Sequence, residues 1–199
     1  DFTFTEEQVA LRDSINRFLM KEAAPELLRE ISETSGGRSR ELHAKIAAQG
    51  ITGLSVPEAQ GGVGLGDIDW TLGTEELGYH AIPDSLVESS YVATALLCNV
   101  QEAGALREHW LPRVADGTAH ISLEHPANPC VADAHLADLI LAFRAGKDDA
   151  LELHAVPGTG LQRSTQVSID ASRRLAILPQ KLAASTRLLT GAGVQAIAD

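Results

Sequence analysis

The chain has 199 residues, of which 44% are hydrophobic and 22% charged, with a formal net charge of −11 at pH 7. That is the balance of an ordinary globular protein, long enough for one large domain or two modest ones. The acidity argues against nucleic acid or an anionic membrane as partner, since both demand clustered Lys and Arg, and no apolar run approaches a membrane span.

The N-terminus, DFTFTEEQ, opens with acid rather than a basic signal-peptide region. Two cysteines, Cys98 and Cys130, cannot form a disulfide framework. Both features predict a cytoplasmic protein. Thr5-Glu6-Glu7-Gln8 has the spacing of a capping box, and Leu11, Ile15, Phe18 and Leu19 then form one apolar helical stripe. Pro25 restarts the chain, SETSGG at 32–37 breaks it, and a helix over about 39–49 ends at Gly50. After a glycine-rich corner, DIDWTLGTEELGYHA and DSLVESSYVATALLCNV read as helices. QEAGALREHWLPRVADG reads as another, interrupted or ended near Pro112.

From His120 the period changes. HISLEHP, ADLILAFRAG, ALELHAVPG, LQRSTQVSID and RRLAILPQ are short, β-rich and bounded by turn residues, with AGKDDA at 145–150 a hairpin connection. After Lys181 the text turns helical again. The fold expected is α+β: a helical domain over residues 1–118, a small antiparallel β domain over 119–181, and the first helix of an incomplete C-terminal bundle over 182–199.

The corner GLSVPEAQGGVGLG invites a phosphate-loop reading, which fails on detail. Asp67 stands where the third glycine of a dinucleotide fingerprint belongs, and no Lys-Ser/Thr pair follows the last glycine. A compact turn with several positive-φ residues fits better. Placed in its longer phrase, the corner resembles the N-terminal helical domain of the acyl-CoA dehydrogenases. The residues that carry this are Gly50-Ile51-Thr52-Gly53-Leu54, Val56-Pro57-Glu58, Gly61-Gly62 and Glu75-Glu76-Leu77-Gly78, with FTEEQVALRDSINRFL before them and LREHWLPRVADGTA after.

The resemblance covers about residues 2–119. It implies FAD, an acyl-CoA thioester as substrate, α,β-dehydrogenation, and work in a homo- or hetero-oligomer, with the glycine elbow shaping one wall of an acyl pocket. The family's carboxylate base lies in the C-terminal bundle, so no catalytic residue is assigned in this chain. Flavin-contacting positions carry over to Ile121, Leu123 and Glu124, where Glu124 replaces a threonine that faces the ring. No Gly-Ser-Asp phrase follows, and no Trp occurs after Trp110. A carboxylate there would disfavour an anionic reduced flavin. The shortened ADAHLADLILAF and SIDASRRLAIL stretches resemble the reduced subunit of heteromeric acyl-CoA dehydrogenases that degrade steroid side chains. That likeness implies an alternative role, a non-catalytic subunit completing a partner's acyl pocket.

His120, His125, Cys130 and His135 recur every five residues with Asp133 among them. Zinc ligands favour closer pairs, so strand and loop histidines are expected and no metal is assigned. Adjacent Glu75 and Glu76 do not face each other on a helix. Arg173 and Arg174 suit a CoA phosphate by chemistry, or a turn pair with Asp170.

Overall fold

A computed structural model of the protein describes residues 3–146, 150–170, 172–182, 184–191 and 194. The first helix, α1 (Glu6–Glu22), opens on the expected capping box: Gln8 N–H donates to Thr5 Oγ1 and Thr5 N–H to Gln8 Oε1. Ile15 and Leu19 are its buried residues. Helix α2 (Pro25–Glu33) takes Pro25 in its first turn, where no N–H partner is needed. Helix α3 (Arg40–Ala48) is capped by the Ser39 hydroxyl, which accepts from Leu42 N–H, and stops at Gly50 with φ +77°. Helix α4 (Asp67–Tyr79) lies against α1, where Gly73 meets Ile15 and Glu76 accepts from Asn16. A π turn (Val87–Val92) runs directly into α5 (Ala93–Asn99), and α6 (Gly104–Ala115) follows. Pro112 neither ends nor interrupts α6, which continues through it to Ala115.

Between α3 and α4 the glycine corner folds back on its own preceding strand of chain. Val63, Gly64 and Leu65 donate to the carbonyls of Gly53, Val56 and Leu54. Gly61 and Gly64 sit at φ +83° and +70°, and a Cβ on Gly62 would stand 2.0 Å from the Val56 carbonyl oxygen. Gly62→Ala is therefore expected to cost about 1–3 kcal/mol, because backbone rather than a flexible side chain must move. Gly66→Ala, which meets only Asp69 Oδ2 at 3.9 Å, is expected to stay within about 0.5 kcal/mol. Urea denaturation of the two variants checks the difference.

The second half forms two sheets. One has the order β1 (Ile121–Glu124), β3 (Leu139–Ala145), β4 (Leu151–Pro157), β7 (Thr186–Thr190). The other has the order β2 (Cys130–Ala132), β6 (Leu175–Ile177), β5 (Ser164–Gln166). Strand β3 explains the stacking, because successive side chains leave opposite faces. Leu139, Leu141 and Phe143 join Leu97, Leu111 and Val114 of α5 and α6, while Ile140 and Ala142 meet Val131, Ala176 and Leu178 of the second sheet. The larger sheet is thus the middle layer, and a strand buried on both faces reads as the unbroken apolar run LILAF. A separate cluster around Ile15, Leu19, Ile46, Trp70 and Leu86 forms the core of the first four helices.

Helices followed by a mainly antiparallel sheet match the expected order, with two differences. Strands β1 and β3 pair in parallel, since the chain leaves for β2 in the other sheet before returning. The expected helix after Lys181 is not formed over Thr186–Thr190, which pair with β4 instead and bury Leu188. Without β7, β4 would expose an open edge of the middle layer, and tertiary pairing outweighs the helix propensity of Leu188-Leu189. Val194 is helical and buried, and the remainder of the expected helix, at 192–193 and 195–199, lies outside the described residues. The AGKDDA connection does join β3 to β4, closed by Gly146 N–H to the Ala150 carbonyl, with 147–149 outside the described residues.

Candidate functional site

Strand β1 carries the three positions expected to meet a flavin. Ile121 is 0% exposed inside the core shared with α5 and α6, and its N–H donates to Ser89 Oγ at 3.0 Å. Leu123 is half-buried and packs against the same core. Glu124 is 7% exposed and forms an ion pair with Arg144. The pairing is dictated by register: Glu124 lies opposite Ala142 on β3, and Arg144 emerges two residues on from the same face. Arg144 also donates to the carbonyls of Phe143 and Pro179.

These side chains do not fit a flavin ring. A flavin's carbonyl oxygens and N5 call for donors, whereas Glu124 offers only acceptors and Ile121 and Leu123 offer hydrocarbon. The one cation beside them is taken up by Glu124 and two backbone carbonyls.

A second constellation lies where helices meet sheets. A cleft of roughly 450 Å³ is bounded by the start of α3, by Asp84, by the turn after α6 and by His120. His43 Nδ1 lies 2.6 Å from Asp84 Oδ2. The Asp84 hydrogen bond, partly offset by burial, raises the His43 pKa, and a backbone hydrogen bond with Gly117 acts in the same direction. Burial works to raise Asp84, but the hydrogen bond and charge of His43, with His120 and Arg38, hold it below the usual value. His120 is pushed down by burial, against the pull of Asp84 and Asp133.

Behind the cleft, Asp133 is 0% exposed and sits at φ +53°. Its Oδ2 accepts from Arg38 Nε at 2.9 Å and from Ser85 Oγ at 2.7 Å. Arg38 also reaches the carbonyls of Gly37 and Ser172. Ser85 Oγ is 3.2 Å from His120 Nε2. Because the Ser85 proton goes to Asp133, the hydroxyl meets His120 as an acceptor, the wrong polarity for a serine nucleophile. The arrangement is a buried polar junction rather than a hydrolytic dyad.

Sequence reasoning missed Arg38, His43, Asp84 and Ser85. Their partners lie 41 to 95 residues away, so no local spacing marks them. The histidines weighed as metal ligands are dispersed. His120 turns to Ser85, His135 to the Gly36 carbonyl, and His125 to Ala127 N–H and the Phe143 ring. Among the described residues no three His, Cys, Asp or Glu side chains gather to hold a metal. Arg174 is spent on the carbonyls of Ser32, Thr34 and Ser35 beyond α2, which explains it as an interdomain link rather than a phosphate ligand. Asp170 accepts from Ser172, and Arg173 contributes its backbone N–H to the Asp170 carbonyl. No described helix is long and apolar enough to cross a membrane.

Comparison with known proteins matches this architecture. Residues 5–118 match the family described as acyl-CoA dehydrogenase, N-terminal domain. Acyl-CoA dehydrogenase IpdE2 of Mycobacterium tuberculosis is 27% identical over 175 residues, covering 87% of this chain and 51% of that protein. The ChsE4–ChsE5 complex from Mycobacterium tuberculosis superposes with a TM-score of 0.82 at 20% identity, covering 98% of this chain and 60% of that one. A glutaryl-CoA dehydrogenase from Mycobacterium smegmatis, solved with FADH2, gives 0.76 at 16% identity over 98% of this chain and 59% of that one. The chain thus spans about half the length of the curated relative and about three-fifths of these solved chains. With the quoted helical phrases, the helix-then-sheet order and the match over 5–118 in agreement, the chain belongs to the acyl-CoA dehydrogenase family.

Proposed function

We propose that this chain is a subunit of an acyl-CoA dehydrogenase acting on a fatty acyl or steroid side-chain CoA thioester, and that its role is to support a flavin-bearing partner chain. The observation that carries the supporting role is the buried Glu124–Arg144 pair at the position where a flavin contact is expected. A site that spends its cation internally and lacks a hydroxyl donor gives a bound flavin little to replace its lost hydration. Two relatives' names support the setting: IpdE2 is an acyl-CoA dehydrogenase, and ChsE4–ChsE5 was solved as a two-protein complex.

Partner association also has a surface to use. Strand β5 is an edge strand, and Val167 and Ile169 just beyond it are fully exposed. Adjacent exposed aliphatics on an open edge favour association. In this reading the glycine elbow and the π turn before α5 help to wall an acyl pocket completed by the partner.

The competing role, in which the chain itself binds FAD and carries out α,β-dehydrogenation in an oligomer, is favoured by family membership over 5–118. FAD would then supply the hydride acceptor, with the protein providing orientation and polarity. The visible absorption spectrum separates the two roles. The purified chain is expected to be colourless and to elute with flavin only when copurified with a second acyl-CoA dehydrogenase chain. A flavin spectrum near one FAD per chain, with no second protein present, would establish the catalytic role instead.

A further inference from the structure

We propose that His43 is a proton-dependent latch between the helical layer and the β layer, closed while its imidazolium holds both Asp84 and Gly117. Three separate pieces of chain meet on this ring. His43 projects from α3, Asp84 stands in the connection from α4 to the π turn, and Gly117 lies in the turn that leads from α6 to β1. The Asp84 contact is short, at 2.6 Å, and the backbone of Gly117 supplies the second hydrogen bond to the ring.

The turn is seated closely. Gly117 has φ +73°, and a Cβ there would lie 2.5 Å from Ala47 Cβ and 3.5 Å from His43 Nε2. Any side chain at 117 would therefore push the turn off α3. The ring also forms part of the wall of the 450 Å³ cleft, so loosening this corner changes the shape of a real cavity.

The chemistry of the ring sets the direction. An imidazolium donates from both nitrogens, but a neutral imidazole donates from one only. Loss of the proton therefore breaks one of the two bonds and leaves the Asp84 carboxylate, largely buried, without its charge partner. Around the ring, Arg38 and Arg40 stand near the start of α3, Asp84 faces it from the helix connection, His120 from the approach to β1, and Asp138 from the approach to β3. Asp133 lies behind Ser85 and is neutralised by Arg38. Of these, Asp84 is the acid in direct contact with the ring.

The sign follows from linkage. His43 is raised in the fold, so its contribution is complete below the ordinary value of 6.5 and is lost as pH rises through the folded value. His120 is depressed, so its neutral burial costs stability as pH falls below 6.5 toward its folded value. The junction is closed in the window between, with Asp84 losing its contribution only at more acid pH.

The test is an NMR titration of the full chain, following the His43 ring and the Gly117 and Thr118 amides together. The expected result is a His43 midpoint above 6.5, with both amides shifting at that same midpoint and losing exchange protection beyond it. Asp84→Asn is expected to lower the midpoint, and His43→Gln to abolish the amide transition while keeping a donor in place. A His43 midpoint at or below 6.5, or amides indifferent to it, would overturn the latch. Should either variant fail to fold, the coincidence of midpoints in the unaltered chain decides alone.

Discussion

Arg38→Ala is expected to destabilise the protein by about 3–5 kcal/mol, the cost of leaving a buried charge without its partner. Arg38 is only 10% exposed and Asp133 0%, and no solvent is available to take over the guanidinium's role. The variant also strips the carbonyls of Gly37 and Ser172 of a donor. Asp133 N–H is bound to the Arg174 carbonyl, and Arg174 in turn holds the carbonyls beyond α2, so the loss spreads across the junction. Two arginines exchange sides here, Arg38 reaching from the helices into the β half and Arg174 reaching back. Asp133→Asn is the informative companion, since asparagine tolerates positive φ and keeps one acceptor for Arg38 and Ser85. It is expected to cost less than Arg38→Ala. Denaturant midpoints with unchanged slopes would attribute both effects to the native junction.

Arg144→Met is expected to be of similar size, about 3–5 kcal/mol, for the same reason: Glu124 remains buried with no cation opposite. The double replacement Glu124→Gln with Arg144→Met removes both charges and is expected to recover most of that loss, because a buried ion pair replaced as a unit is often near neutral. A double-mutant cycle measures the coupling directly. Arg144→Lys keeps the charge but gives up the planar fork that also reaches the carbonyls of Phe143 and Pro179, and should fall between. Glu124→Thr, the residue the family resemblance would put there, leaves Arg144 buried and unneutralised. It is expected to destabilise rather than restore a flavin position, because the surrounding sheet is built around the pair.

Much of the helical half was legible because its signals are local. Thr5 and Gln8 cap their own helix, Pro25 and Ser39 begin theirs, and Gly50 ends one, each through contacts within a few residues. The glycine elbow was legible as a turn for the same reason. In the β half, β3 and β4 announced themselves by length and a short connection. Strand β2 has three residues and no period to read, and the parallel pairing of β1 with β3 depends on a detour into the other sheet. Strand β7 was written in helix-forming residues and took its state from the open edge of β4.

The site was less legible than the fold. The resemblance directed attention to Ile121, Leu123 and Glu124, and it marked Glu124 as out of place beside a flavin. It carried no hint that Arg144 would face it, because the partner arrives through strand register rather than sequence proximity. The polar junction was invisible for a related reason. Arg38, His43, Asp84, Ser85 and Asp133 are ordinary residues until three connections bring them together.

The most direct test of the account is an equilibrium titration of the purified chain with FAD, followed by flavin fluorescence. The account predicts no saturable change, since the β1 position is filled by its own ion pair. Saturable binding of one FAD per chain in the absence of any partner would contradict it.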